Sequence, residues 1–431
     1  MTPRAGRPSL NVTMLLYGDV DQDSRVRREA ETLVARGHRV SIATLATERR
    51  RPYRLDGALV WPLRPARRGL VPGDDSPFRG EDGPAGSLGR WVAGGRWAAG
   101  YAGTFAYWAR AALHRLPPAD VWHGHDLLGL LAGWALQRAH GGALVHDSHE
   151  LFLEAGSAAR LPGPVRALLR GVEARASRAA DEVITVNGAI AAELRERYHV
   201  DPVVVMNCPW LQPPPARLVL RERLGLAGRP VVIHHGVLGP GRGIDKLIEA
   251  IPHIPADAAV VLLGRGPLAG EFARLAAEPA CRGRLYVVPP VPIAEVPSWI
   301  GDADVGAIPF QAVDRNNVLA TPNKLFEYLA AGIPMIVSDF PELRRIVTET
   351  GAGLAVDTTS PRSLAAAITD LLEEPPDRRA SRRASAQRAF ETTYNWQAQA
   401  QGLLAIYDRI ASRIAGPDAA ARAEAAEPRG A

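Results

Sequence analysis

Lys324 and Glu327, one helical turn apart, are the residues of this 431-residue chain whose types and spacing point most directly to chemistry. They lie in TPNKLFEYLAAGIPMIVSDFPELRRIV, Thr321 to Val347. Thr321 can cap a helix, Pro322 suits its first position, and Gly332 followed by Pro334 ends it before a buried strand. A helix N-terminus offers unpaired backbone N–H groups and positive dipole potential, and Lys324 in the first turn adds a full charge. The expected ligand is an anion, with a diphosphate as the natural fit. Glu327 shares a side with Asn323 and Lys324, at i, i+4 and i, i+3 spacing, where a carboxylate can accept both hydroxyls of a ribose. The plain alternative is a solvated Lys–Glu pair on a helix surface. Composition weighs against it, because Lys246 and Lys324 are the only lysines in the sequence.

A second concentration of reactive side chains lies earlier. His123, His125 and Asp126 end one expected strand, and His146, Asp147, His149 and Glu150 end the next, so parallel pairing brings both sets to one sheet edge. Such clusters can ligate a divalent metal. However, alternate strand residues face opposite ways and no cysteine or HExxH spacing accompanies them, so no metal site is expected. His125 reads equally well as a structural histidine.

The elements that must position these groups follow from periodicity. Short β-branched runs alternate with Ala- and Leu-rich helical segments almost from end to end, the pattern of a parallel sheet with crossover helices, and the fold class is α/β. Strands are expected at Val12–Tyr17, Arg39–Leu45, Ala58–Leu63, Val121–His125, Ala143–Asp147, Glu182–Val186 and Val203–Met206. After the proline-rich CPWLQPPPAR they resume at Val231–His235, Ala259–Leu263, Leu285–Val288, Val305–Ile308, Met335–Ser338 and Gly353–Val356. Helices such as Ser24–Arg36 and Leu127–Ala139 lie between strands. The expected layout is a first Rossmann-like domain over 1–207, a hinge over 208–217, a second domain over 218–394, a C-terminal helix over 395–415 and a disordered tail over 416–431. The two doubly wound domains are expected to face each other across a cleft, with ligand at the carboxyl ends of the strands.

Residues 64–88 are dense in Gly, Pro and charge and read as a mobile surface loop. The next segment carries Trp91, Trp97, Tyr101, Phe105 and Trp108 at near-helical intervals, with Arg96 and Arg110 at its ends. A core-facing helix is the first reading; a site for a lipid-linked or aromatic acceptor, or peripheral contact with a membrane, is the alternative.

Bulk properties exclude several classes. Hydrophobic residues at 47% and charged residues at 23% suit a soluble protein, and no run approaches the roughly 18 apolar residues of a membrane span. The N-terminal apolar stretch reads as a strand rather than a signal peptide. Only Cys208 and Cys281 are present, which suits a reducing compartment, so the expected location is cytoplasmic, the inner face of the membrane being the variant. The net charge is +5, but the arginines are mixed with acids, as in RVRREAE, which reads as a solvated helix face, and no nucleic-acid partner is expected.

The Thr321–Val347 segment resembles the donor-binding signature of the family-4 retaining glycosyltransferases of GT-B fold, in the branch whose motif runs PNK-L-F-E-Y followed by AAG-x-P. Further matches run in order along nearly the whole chain: DSRVRREAETLVARGHRV, DVWHGHDLLGLLAG, LVHDSHELF, EVITVNGAIAAEL, HHGVLGPGRGIDKLIEAI, LLGRGP and VVPPVPIAEVPSWIGDADVGAIPF. The resemblance implies that the first domain lies on the acceptor side and the second binds a nucleoside-diphosphate sugar. It makes Glu327 the ribose ligand, and Lys324 and Arg242 the diphosphate ligands, with Asn323 beside them. Gly236 belongs to a turn, GVLGPGRG, where missing side chains let backbone approach phosphate. Backbone near Pro290 and Val291 would hold the base, and Arg265 and Gly266 line the same crevice. His149 would contact the donor's sugar or phosphate, oriented by Asp147 or Glu150, without a metal. Gly18, Asp19 and Ser24 in the first loop, with His125, would border the acceptor.

Two positions depart from the pattern. Leu319 stands where the family commonly has a second glutamate, with Asn316 and Asn317 close enough to substitute, and Val237 stands where an arginine often accompanies the lysine. The implied activity is metal-independent hexosyl transfer from a nucleoside-diphosphate sugar to an alcohol, with retention at the anomeric carbon. The donor is a substrate and no cofactor is expected; the acceptor class is a glycan, a lipid-linked or a small-molecule alcohol. A sugar-nucleotide 2-epimerase and a catalytically inactive nucleotide-binding protein of the same fold remain as alternatives.

Overall fold

The computed structural model describes residues 9–46, 49–63, 87–156, 158–213, 215 and 217–415. The chain divides into two compact units, one built from the chain up to Val205 together with the stretch from Ala400 onward, the other from Met206–Gln399.

The first unit holds an eight-stranded sheet: β1 (Asn11–Leu15), β2 (Arg39–Leu45), β3 (Tyr53–Leu55), β4 (Ala58–Leu63), β5 (Val121–His125), β6 (Ala143–Ser148), β7 (Glu182–Thr185) and β8 (Val203–Val204). Their order is β3-β4-β2-β1-β5-β6-β7-β8, parallel except for the β3–β4 hairpin. Parallel strands are covered on both faces, which is why β5 is buried at every residue and reads as a continuous run rather than an alternation. The chain leaves β1 toward β2 and returns on the other side at β5, so the topological switch point lies between them. The helix that follows β5, Asp126–His140, packs tightly there: a Cβ at Gly129 would fall 2.2 Å from the Leu15 carbonyl oxygen, so only glycine admits this approach.

The second unit holds a six-stranded, wholly parallel sheet of β9 (Val231–Val237), β10 (Ala259–Arg265), β11 (Leu285–Val288), β12 (Val305–Ile308), β13 (Met335–Ser338) and β14 (Gly353–Val356). Its order, β11-β10-β9-β12-β13-β14, is that of a dinucleotide-binding Rossmann sheet, with the switch point between β9 and β12. Both units are Rossmann-like, doubly wound α/β layers.

Besides shifts of one or two residues at strand ends such as β1 and β8, the structure differs from the sequence reading in several places, of which four matter here. First, β9 and β10 run two residues past their expected ends, because Gly236 and Val237 stay paired with Gly264 and Arg265. Second, β3 was not expected; Asp56 and Gly57, at φ +49° and +86°, close a tight hairpin between Leu55 and Ala58. Third, the loop expected over 64–88 ends earlier. A helix begins at Ser87 and runs to Arg115, while 64–86 and the tail from 416 lie outside the described residues. Fourth, Thr321 does not cap the Lys324 helix: Pro322 is the N-cap, its backbone extended at ψ 144°, so the helix is Asn323–Ala331, closed by Gly332 in the left-handed region.

The aromatic helix faces the core at its described end, where Trp108 is fully buried and stands edge-on to Tyr17 at 5.4 Å. Among the described residues no helix is long and apolar enough to cross a membrane.

Candidate functional site

Each switch point carries a cluster of charged side chains. In the second unit, β9 ends in His234 and His235, followed by Gly236 at φ +109°. A Cβ at Gly236 would sit 3.6 Å from Lys324 Nζ, so the missing side chain keeps the space before the ammonium open. Lys324, in the first turn of the helix Asn323–Ala331, is buried and lies 3.0 Å from His234 Nε2. The other ring nitrogen, His234 Nδ1, is 3.0 Å from the Ala307 carbonyl of β12. Burial, followed by the charge of Arg242, pushes Lys324 down to about 7, with Glu327 opposing. Burial and then the Lys324 charge hold His234 well below the usual histidine range, so it is neutral. Arg242 lies 4.5 Å over the Phe310 ring and reaches Asn317 Oδ1 at 3.5 Å. Two cations at a helix N-terminus, beside a turn stripped of side chains, can do one thing well: hold an anion.

One turn on, Glu327 Oε2 is 2.5 Å from His235 Nε2, with the Glu327 side chain one-third exposed. His235 Nδ1 lies 3.1 Å from the Tyr328 hydroxyl, which donates to the Ile233 carbonyl at 3.0 Å. Lys324 and Glu327 are therefore each seated against a histidine of β9.

The remaining expected donor residues fall around this centre unevenly. Asn323 is exposed and accepts from Asn207 Nδ2 at 2.9 Å. Asn317 is buried, its amide hydrogens directed to the Gly241 and Gln311 carbonyls, so it braces the glycine turn and Arg242 instead of presenting its amide to a ligand. Arg265 is exposed at the end of β10, and its carbonyl accepts from Leu238 N. A Cβ at Gly266 would lie 2.1 Å from the Leu238 carbonyl, so its role is close packing of the two loops. Pro290 and Val291 follow β11, two strands from β9; Pro290 can offer only its carbonyl. Leu319 is buried and Val237 is exposed.

In the first unit, His125, Asp147 and His149 come together as expected. His149 Nε2 lies 3.0 Å from Asp147 Oδ2 and 3.1 Å from His125 Nδ1. Asp126 completes the enclosure: it accepts from the His149 backbone N at 2.9 Å and stands 3.5 Å from the ring Nδ1. Asp126 adopts φ +53°, a left-handed backbone that is costly for a residue with a side chain and tolerable for Asp. Burial works against charge on His149, but Asp126 and then Asp147 raise it to about 10. His149 is thus a fixed cation held between two carboxylates, which suits electrostatic stabilisation better than proton abstraction. Of the two residues expected to orient it, Asp147 does so, while the Glu150 carbonyl accepts from Ser148 Oγ.

Beneath this layer lie residues that the sequence reading placed on a solvated face. Arg25 and Glu29, on the helix Ser24–Ala35, are buried at 2% and 0% exposure. Arg25 grips both oxygens of Asp147 at 2.8 Å and donates to the Val205 carbonyl at 2.6 Å. Burial alone would raise Asp147, but Arg25 and His149 override it and hold the carboxyl well below its usual range. Burial and then the Asp147 charge push Glu29 well above the usual carboxylate range, with Arg25 opposing. The helix pattern carried the signal: positions 25 and 29 alternate with Val26, Ala30 and Leu33, all buried on the same face.

Glu29, His123, His125 and Asp147 present ligand atoms within 4.8 Å of one another, the grouping among the described residues that could hold a metal ion. Its cation is Arg25, 3.1 Å from Glu29 and bidentate on Asp147, and that donor set suits guanidinium better than a second positive charge. His146 points to the other face, toward Ser177 Oγ at 3.2 Å, as strand alternation requires. Gly18 and Asp19 lie in the loop after β1, at the switch point, and Ser24 opens the helix that follows. The Gly18 carbonyl accepts from Thr44, Asp19 ties its own loop through Asp21 N and Gln22 Nε2, and Ser24 Oγ accepts from Arg28.

Comparison with known proteins bears on the family and the fold. The profile of Glycosyltransferase Family 4 matches residues 23–209, and that of Glycosyl transferases group 1 matches 229–374. The chain is 29% identical over 317 residues to a D-inositol 3-phosphate glycosyltransferase of Xylanimonas cellulosilytica, covering 68% of this chain and 73% of that protein. It is 31% identical over 209 residues to a GDP-mannose-dependent alpha-(1-6)-phosphatidylinositol monomannoside mannosyltransferase of Mycolicibacterium smegmatis, covering 47% of this chain and 52% of the relative. Among solved structures, sucrose-phosphate synthase of Thermosynechococcus elongatus superposes with a TM-score of 0.70 at 20% identity, over 93% of this chain and 98% of that one. Anabaena HepE in complex with UDP gives 0.69 at 15%, over 93% and 100%. Likenesses at that identity speak to the fold. The family profiles and the fold together define an α/β glycosyltransferase of the GT-B class. The chain belongs to the family-4 glycosyltransferases and is a transferase enzyme.

Proposed function

We propose that this enzyme transfers a hexosyl group from a nucleoside-diphosphate sugar to an alcohol acceptor with retention of anomeric configuration. The observation that carries the reading is Lys324: a nearly buried ammonium, hydrogen-bonded among the described residues to His234 alone, at a helix N-terminus beside Gly236 and Arg242. A departing diphosphate gathers negative charge, and cations seated there stabilise that charge more than they stabilise the bound ground state. Glu327 would take the ribose. The relatives support the ligand class, one being named for GDP-mannose and one solved with UDP. On this reading Lys324 and Arg242 supply the positive charge, no metal or cofactor takes part, and chelators leave turnover unchanged. His149, held as a cation, serves the sugar-transfer step. The reaction takes place in the cytoplasm, where the buried, unbridged Cys208 and Cys281 persist as thiols.

The test is thermal stabilisation of the wild type and Glu327→Ala by UDP, GDP, dTDP and ADP, since a ligand that binds only the native state raises the midpoint by mass action. One nucleotide standing out, with its effect lost in the variant, supports the reading and names the donor class. Equal response of the two proteins, or none, contradicts it. The anomeric configuration of the product, read by NMR, decides retention.

A further inference from the structure

We propose that the adjacent histidines His234 and His235 are positioning residues of the donor site, His234 seating Lys324 at the glycine turn and His235, held between Tyr328 and Glu327, seating Glu327. The inference deepens the donor-site reading above and rests on it.

The argument is an accounting of donors and acceptors. The Ala307 carbonyl can only accept, so His234 Nδ1 carries the ring hydrogen, and Nε2 is left with a lone pair aimed at Lys324 Nζ, 3.0 Å away. The ring is buried completely on β9 and cannot turn without losing both bonds. One of the three ammonium hydrogens is thereby fixed in direction, which fixes the other two relative to Gly236. A phenyl ring of similar size would fill the space and leave the ammonium undirected.

His235 carries the opposite roles. The Tyr328 hydroxyl donates its one hydrogen to the Ile233 carbonyl, so toward His235 it can only accept, and His235 Nδ1 must donate. Burial, with the Glu327 charge, keeps Tyr328 protonated. At 2.5 Å from Glu327 Oε2, Nε2 shares a short hydrogen bond with the carboxyl group. Both ring nitrogens are engaged, and the short bond from the ring holds Glu327 in one rotamer. That bond takes up one of the roughly four lone-pair positions that a carboxylate offers. Strand alternation turns the two rings to opposite faces of β9, yet both meet the one helix Asn323–Ala331, at Lys324 and at the Glu327–Tyr328 step. Two neighbouring residues thus set the phosphate ligand and the ribose ligand separately.

The test uses UDP and GDP, each with its 2′,3′-dideoxy counterpart, titrated calorimetrically into the full chain. Wild type should prefer the ribose nucleotide over its dideoxy form by about tenfold, the scale of one hydrogen bond to a charged group. His235→Leu should lose that preference and leave dideoxy affinity unchanged, and His235→Gln, which keeps a donor toward Glu327, should restore most of it. His234→Phe should weaken ribose and dideoxy nucleotides alike, by about tenfold or more, and His234→Gln should recover both. Equal loss of ribose and dideoxy affinity in His235→Leu, or failure of both glutamine variants to rescue, would overturn the proposal and leave the donor site standing. A wild type that binds ribose and dideoxy nucleotides equally would remove Glu327 as the ribose ligand, and the His235 assignment with it.

Discussion

The two switch points of this enzyme pose opposite electrostatic problems. In the first unit, charge is compensated within the protein. Arg25 and His149 are wrapped by Asp147 and Asp126, and a histidine is held protonated to about 10. In the second unit charge is under-compensated: Lys324 is buried beside Arg242 with Glu327 as a partial counterweight, and its ammonium is driven down to about 7. The first arrangement is complete without a ligand. The second leaves positive charge at the turn that, on the proposed reading, an anion would balance. A cluster's function is read from which charges the fold leaves unbalanced, more than from how many charged residues it gathers.

The sharpest way to break the first cluster is Asp147→Asn. It strands Arg25 in a buried site, and loss of one partner of a buried pair costs about 3–5 kcal/mol, to be read as a lowered urea midpoint. The second cluster should respond in reverse. Lys324→Met removes a charge that the fold strains to hold, so the ligand-free protein should gain about 1–3 kcal/mol, while nucleotide stabilisation disappears and turnover falls by about 10²–10³. Stability and function part company at Lys324 and go together at Asp147.

The pH dependence of stability should separate the two as well. The folded-state value of His149, about 10, lies above the ordinary 6.5; its contribution is fully present below pH 6.5 and is lost as pH rises toward 10. For Lys324 the folded value, about 7, lies below the ordinary 10.5. Its penalty is full below pH 7 and is relieved as pH rises toward 10.5. Measured as differences from wild type between pH 6.5 and 10, His149→Gln and Lys324→Met should therefore show opposite slopes. The smallest effect should come from Asn317→Ala, which loosens the brace on the glycine turn. We expect roughly 1 kcal/mol of nucleotide affinity to be lost, with the fold intact by circular dichroism.

How much of this could be read in the sequence differs between the units for the same physical reason. The placement of Lys324 beside the glycine turn was legible because it is built from local devices: a helix start, a glycine turn and a lysine at fixed spacing in PNKLFEY and GVLGPGRG. The roles of His234 and Asn317 were not, since they depend on contacts to Ala307 and Gly241, distant in sequence. In the first unit the histidines and Asp147 could be placed at one sheet edge, but Arg25 and Glu29 were read as a solvated face. Their burial is decided by Asp147, about 120 residues away, and charge alone hides an inward-facing arginine. The β3–β4 hairpin was marked by Asp56–Gly57, a two-residue turn signal overlooked beside the stronger parallel pattern.

The central claim is that a diphosphate supplies the charge that Lys324 lacks. Calorimetric titration of the stabilising nucleotide at pH 8, in buffers of different ionisation enthalpy, counts the protons that accompany binding. At that pH the phosphates are fully ionised, so uptake of close to one proton per nucleotide, abolished in Lys324→Met, is the predicted result. Binding with no proton uptake, or uptake that persists in the variant, would contradict it.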